Sequence, residues 1–155
     1  MSINEKKKLF ADLMQKIREV ISANDDYTMY EKIVKLLKEN VPHYHWVGFY
    51  FIKNGALELG PYIGRPTEHT RIEIGQGICG SAVAQNNTII VEDVTKESNY
   101  LACSVETKSE IVVPLYNKNG AIIGEIDIDS DELSAFDEAD KEFLEELCRQ
   151  ITLKS

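Results

Sequence analysis

The chain has 155 residues, 43% of them hydrophobic, with 17 Lys and Arg against 26 Asp and Glu and a formal charge of -9. That balance excludes a binder of nucleic-acid backbones, since phosphates are held by clustered cations and the chain clusters them only at Lys6, Lys7 and Lys8. No apolar run approaches the roughly 18 residues of a membrane span, and the charged N-terminus is unlike a secretory signal, so a cytoplasmic, single-domain protein over residues 1–155 is expected.

Leu9, Phe10, Leu13, Ile17, Val20 and Ile21 recur at helical spacing, as do Tyr30, Ile33, Val34 and Leu37, with a turn at Asn24, Asp25 and Asp26. After Pro42 the period falls to two. His45, Val47, Phe49 and Phe51 share one face of a strand, and Trp46, Gly48, Tyr50 and Ile52 share the other. Both faces are largely apolar, which predicts a central strand. Asn54-Gly55 predicts a type I′ hairpin with Ala56 to Leu59 as the return strand, and Asn119-Gly120 predicts a second one joining Ile111–Tyr116 to Ile122–Asp129. Between the hairpins the chain reads as a loop from Gly60 to Pro66, a strand over Arg71–Ile74, a short helix over Ile78–Gln85, a strand over Thr88–Glu92 and a polar connection up to Ser109. An amphipathic helix ends the chain, with Ser134 as its predicted N-cap and Phe136, Phe143, Leu144, Leu147 and Ile151 on its buried side. Terminal helices around a mostly antiparallel sheet define an α+β domain, with helices on one face and loops roofing the other.

The segment Gly75-Gln76-Gly77-Ile78-Cys79-Gly80 matches GxGxxG, but a dinucleotide site needs a parallel crossover and the flanking strands read as antiparallel. What it does supply is Cys79 at a helix N-terminus, where the dipole favours a thiolate; the alternative is a small buried apolar side chain. Cys103 lies in the polar stretch Ser98–Ser104, ahead of the strand bearing Glu110, and loops carry reactive groups. Cys148 falls on the core stripe of the last helix and is expected to be inert. None of the three cysteines forms a CxxC or has a His at zinc spacing, so neither a disulfide framework, a structural metal nor a cofactor is expected.

The run Glu125-Ile126-Asp127-Ile128-Asp129 places three carboxylates on one strand face, about 7 Å from next to next. If that face meets solvent, nothing follows. If it meets a pocket, burial and repulsion raise at least one carboxyl pKa and make a proton donor. Glu110 alternates with Ile111 and Val113 on the paired strand and joins that face, and Trp46 and Tyr50 offer aromatic walls, although the same spacing suits plain core. His43, His45 and His69 show no ligand spacing and read as structural.

Five segments, His45–Tyr50, Gly77–Gly80, Ala102-Cys103, Ser109–Leu115 and Ile123–Ser130, together resemble the free methionine-(R)-sulfoxide reductases, which are single GAF domains. The resemblance implies a six-stranded antiparallel sheet with helices on one side and a ligand pocket on the other. It implies Cys103 as the nucleophile toward the sulfoxide sulfur and Cys79 as its resolving partner. It further implies Trp46 and Tyr50 around the methyl-thio end, with Glu110, Asp127 and Asp129 binding the ammonium group and protonating the departing oxygen. Two departures stand out. His69 occupies the place, ten residues before Cys79, where the family usually carries another cysteine, and Ser104 replaces the Asp that tends to follow the nucleophile.

The expected activity is therefore reduction of free methionine-(R)-sulfoxide, with a Cys79–Cys103 disulfide reset by thioredoxin or a similar dithiol. The two Cα atoms must then come within about 4.4–6.8 Å. A homodimer is the candidate assembly. The rivals are a non-catalytic GAF sensor of a small metabolite, disfavoured because no output module follows the domain, and a thiol peroxidase, which gives the carboxylates little purpose.

Overall fold

The computed structural model describes residues 1–100 and 105–154. Helix α1 (Ile3–Ala23) opens on a capping box: the Ser2 hydroxyl accepts from the Glu5 N–H at 3.1 Å, and the Glu5 carboxylate accepts from the Ser2 N–H at 3.0 Å. Helix α2 (Asp26–Asn40) is capped by Asp25, which accepts from the Thr28 N–H. Strands β1 (Trp46–Lys53), β2 (Ala56–Ile63) and β3 (Arg71–Glu73) follow, then helix α3 (Gly77–Gln85) and strand β4 (Ile89–Val91). A single 3₁₀ turn at Val94–Lys96 precedes strands β5 (Ser109–Tyr116) and β6 (Ile122–Ser130), and helix α4 (Glu138–Lys154) ends the chain.

The six strands form one antiparallel sheet in the order β3-β2-β1-β6-β5-β4, so β1 and β6 lie at its centre. Its two faces follow the period-two pattern. Val47, Phe49, Ile111, Val113, Leu115, Ile126 and Ile128 meet the buried stripes of α1, α2 and α4 in the larger core. Trp46, Tyr50, Leu57 and Val112 face the other way, where Ile72 of β3, Ile78, Cys79, Ala82 and Val83 of α3, and Val91 and Val94 make a second, smaller core. This is the α+β architecture expected, with α3 and its flanking loops as the roof. Cys148 is 4% exposed within the larger core, and its thiol is pushed up by that burial. Among the described residues no helix is long and apolar enough to cross a membrane.

Several local expectations are corrected. Strand β2 does not end at Leu59 but continues through Gly60 and Pro61 to Ile63, past a register shift opposite Gly48 and Tyr50. A bulge tolerates the proline's missing donor, and Gly60 is needed because a Cβ there would lie 2.5 Å from the Phe51 ring. At the first hairpin Asn54 and Gly55 both take positive φ, 52° and 79°, as type I′ requires. At the second only Gly120 does, and the Asn117 side chain instead accepts from the N–H groups of Asn119 and Ala121, with the register slipping by Leu115 and Tyr116. Ser134 is not the cap of α4. It sits at φ 50° with its N–H donating to the Glu92 carbonyl, and Asp137 caps the helix by accepting from the Ala139 N–H at 2.9 Å.

The first lysine of the N-terminal basic run is buried in an ion-pair cluster. Lys6 is 6% exposed and its ammonium donates to Asp140 at 2.6 Å, to Asp137 at 3.1 Å and to the Ala135 carbonyl at 3.0 Å. The other Asp140 oxygen meets His43 Nε2 at 2.7 Å and accepts from the Tyr44 hydroxyl at 2.9 Å. Asp140 is wholly buried, which by itself would raise its pKa. The bonds from His43 and Lys6 and from the Asp137 N–H outweigh that and lower it to about 2. This cluster ties the start of α1 to the start of α4 and to the entry of β1.

Candidate functional site

The register of the three central strands builds the site. Across β1, β6 and β5, Trp46 stands opposite Asp129 and Asp129 opposite Glu110. One step along, Gly48 faces Asp127 and Asp127 faces Val112; at the next, Tyr50 faces Glu125 and Glu125 faces Pro114. All four carboxylates thus share the face away from the helical layer, as the alternation predicted. The face is not solvent: Glu110 is 3% exposed, Asp129 1%, and Glu125 and Asp127 are wholly buried.

Helix α3 covers this row of acids. It opens after the positive-φ turn at Gly75 and Gly77 and delivers Cys79 onto the carboxylates, its thiol donating toward Glu110 Oε2 at 3.9 Å. The ligating atoms of Cys79, Glu110 and Asp127 all lie within 4.8 Å of one another. They line a small cavity together with Tyr50, His69, Ile72, Gln76, Gly77 and Ile78. Tyr50 donates its hydroxyl to the His69 carbonyl at 2.8 Å, which fixes the aromatic wall to the loop ahead of β3. His69, read from sequence as structural, is a lining residue. His43 and His45 do serve structure, His45 Nδ1 accepting from the Asp131 N–H at 2.9 Å.

Trp46 is buried beside the cavity rather than among its lining residues. Its ring stacks on Tyr62 at 5.3 Å and lies near Tyr50 at 6.4 Å, while Nε1 donates to the Arg65 carbonyl at 3.0 Å. A Cβ on Gly48 would fall 2.5 Å from that indole, so glycine there lets the ring lie flat over the strand. Cys103 lies outside the described residues, and the structure describes no contact of it. Just ahead of it in the chain, Asn99 ties itself to the start of α3: it accepts from the Gly77 N–H at 3.0 Å and donates to the Gly77 carbonyl and to Ser81 Oγ.

The electrostatics decide between the two readings of Cys79 in favour of the small buried side chain. The α3 dipole favours a thiolate, but burial outweighs it and holds this thiol well above the ordinary range, reinforced by the charges of Asp127, Glu125 and Glu110. Burial likewise raises Glu125 well above a normal carboxyl and raises Asp127. Neither of the latter two finds a well-formed hydrogen bond, with both oxygens of each left without a partner at bonding distance. Such groups are strained ground-state features. A carboxyl raised on folding contributes stability that is complete below its unfolded pKa and is lost as pH rises through the folded value. Glu125→Gln is therefore expected to raise the melting temperature at pH 8 by roughly 2–10 °C and to change it little near pH 4, measured by thermal unfolding at the two pH values.

The sequence pointed to Cys79, Glu110, Asp127, Tyr50 and the acidic strand, and the fold brings these together. It did not single out Glu125 above its neighbours, Asn99, or the lining position of His69. Only the Asn99 amide carried a usable signal, since an Asn in a polar connection is a common loop clamp.

A GAF domain model matches residues 7–154. A free methionine-R-sulfoxide reductase from Escherichia coli is 40% identical over 116 residues, 75% of this chain and 69% of that protein. One from Saccharomyces cerevisiae is 44% identical over 110 residues, 69% of this chain and 61% of that protein. The crystal structure of the Neisseria meningitidis free methionine-R-sulfoxide reductase in complex with its substrate superposes with a TM-score of 0.91 at 36% identity, covering 96% of this chain and 89% of that one. The chain is thus a GAF domain protein by its fold and its site. It belongs to the free methionine-R-sulfoxide reductases within that family.

Proposed function

We propose that the protein reduces free methionine-(R)-sulfoxide to methionine in the cavity under α3, with Cys103 as nucleophile and Cys79 as resolving thiol. The observation that carries the reading is the convergence of a thiol and two carboxylates, within 4.8 Å of one another, beneath an aromatic wall. A zwitterionic amino acid brings an ammonium group, which a buried acidic cavity suits. A thiolate cannot expel oxide unaided, so an acid must accompany the attack.

In the proposed sequence the Cys103 thiolate attacks the sulfoxide and is oxidised by two electrons to a sulfenic acid that carries the oxygen. A carboxyl among Glu110, Asp127 and Asp129 supplies the proton, and the sulfoxide sulfur is reduced to the thioether of methionine. The Cys79 thiol then attacks the Cys103 sulfur; its proton passes by way of Glu110, towards which it already points at 3.9 Å, to the departing hydroxyl, which leaves as water as the disulfide closes. Thioredoxin or a similar dithiol restores both thiols, which suits a reducing compartment such as the cytoplasm. Asn99, held on α3, stands four residues before Cys103, and four residues of chain reach at most about 14 Å. That tether supports a meeting of the two sulfurs.

The test is NADPH oxidation coupled through thioredoxin, with the R epimer, the S epimer and hydrogen peroxide as separate substrates. Turnover on the R epimer alone is expected. Turnover on peroxide instead, or tight binding of the R epimer with no turnover, would assign a peroxidase or a sensor. Asp127→Asn and Asp129→Asn are expected to raise KM and lower kcat together, with kcat/KM falling about 10²–10⁴-fold. Steady-state kinetics on the R epimer checks this, and unchanged constants would remove those acids from the site.

A further inference from the structure

The cavity has a second chemical reading. Cys79, Glu110 and Asp127 offer one sulfur and two carboxylate oxygens within 4.8 Å of one another, a span that side-chain rotations of about 1 Å contract to the 3.3–3.8 Å between ligands of a tetrahedral zinc. The residues come from α3, β5 and β6, which is why no ligand spacing announces them in the sequence. A separate observation points to a cation here. Glu125, outside that trio, is wholly buried on the same face with both oxygens lacking a hydrogen-bond partner, and its charge bears directly on Cys79. No Lys or Arg is among the described residues lining the cavity.

We propose that Cys79, Glu110 and Asp127 form a binding site for a borderline-soft divalent cation, zinc or cadmium, and that the ion excludes substrate from the same cavity. The thiol selects the class of metal. Magnesium and calcium require six or more hard oxygen ligands, whereas a thiolate with carboxylates suits zinc and cadmium. Binding forms one metal–sulfur and two metal–oxygen bonds and releases the Cys79 proton to solvent; no electron is transferred. With Cys79 engaged, the resolving thiol is withdrawn and the acids no longer meet an ammonium group. Zinc then acts as a reversible inhibitor. The site is assigned from geometry alone, and only the competition with substrate rests on the proposed reductase activity.

The experiment uses the reduced full chain freed of metal by chelator. Zinc binding is followed by calorimetry, and cadmium binding by the sulfur-to-metal charge-transfer absorption in the ultraviolet. One ion per chain is expected, with affinity at least tenfold weaker in Cys79→Ser and in Asp127→Asn and unchanged in Cys148→Ser. In the unaltered protein, free methionine-(R)-sulfoxide is expected to displace the cadmium band. Absence of binding, equal affinity in Cys79→Ser and Asp127→Asn, or a band that substrate leaves untouched overturns the proposal. Turnover measured with chelator present reports separately on the reductase reading.

Discussion

Cys103→Ser is expected to release no methionine even in a single turnover, a loss of at least about 10³-fold, because the only proposed acceptor of the sulfoxide oxygen is gone. Cys79→Ser is expected to behave differently. Its Cys103 can still take the oxygen, so one methionine per chain should appear when enzyme is mixed with the R epimer in the absence of reductant. Recycling by thioredoxin should then fail, because no internal disulfide can form, and a small monothiol in excess should restore slow turnover. Rapid mixing followed by quantification of methionine separates the cases. Equal loss of the first methionine in both variants would place Cys79, and not only Cys103, in the chemical step. Burial keeps Cys79 a neutral thiol rather than a thiolate competing for the sulfoxide.

The largest expected effect on stability lies on the opposite side of the sheet. Asp140→Ala removes the acceptor of Lys6, His43 and Tyr44 at once and leaves a lysine whose side chain is 7% exposed with its buried partner gone. Breaking a buried ion pair in this way costs about 3–5 kcal/mol, or a fall in melting temperature of about 6–20 °C for a chain of this size. Thermal unfolding at pH 7 checks it. The pH dependence has a definite sign. Folding lowers Asp140 from the ordinary carboxyl range to about 2, so its contribution is present above the unfolded value and disappears as pH falls through about 2. The difference between the two proteins should therefore shrink on acidification. A difference that holds constant down to pH 2 would show that the charge of Asp140 is not what stabilises the cluster.

What the sequence revealed and what it hid divide along physical lines. Strand faces were legible because their period is local: Val47 and Phe49 against Trp46 and Tyr50, or Ile126 and Ile128 against Glu125, Asp127 and Asp129, follow directly from alternation. Registry across strands was legible only where Asn54-Gly55 set it. The second hairpin turned differently because Asn117 could satisfy two backbone donors itself. Gly60 and Pro61 read as a loop, since their punctuation is strong and the compensating bulge arises from the pairing with β1. The protonation of Cys79 stays open in the sequence for a related reason. A helix dipole is readable from the position of a residue, whereas burial and the acids of β5 and β6 come from segments more than thirty residues away. Lys6 reads as one of three clustered lysines, and nothing in its neighbours along the chain announces a partner at Asp140.

Mapping thiols in the reduced protein after one equivalent of free methionine-(R)-sulfoxide tests the central claim most directly. Peptide mass spectrometry should then find Cys79 joined to Cys103, Cys148 still free, and one methionine formed per chain. Methionine formed while Cys103 remains an unmodified thiol, or the R epimer left intact, would contradict it.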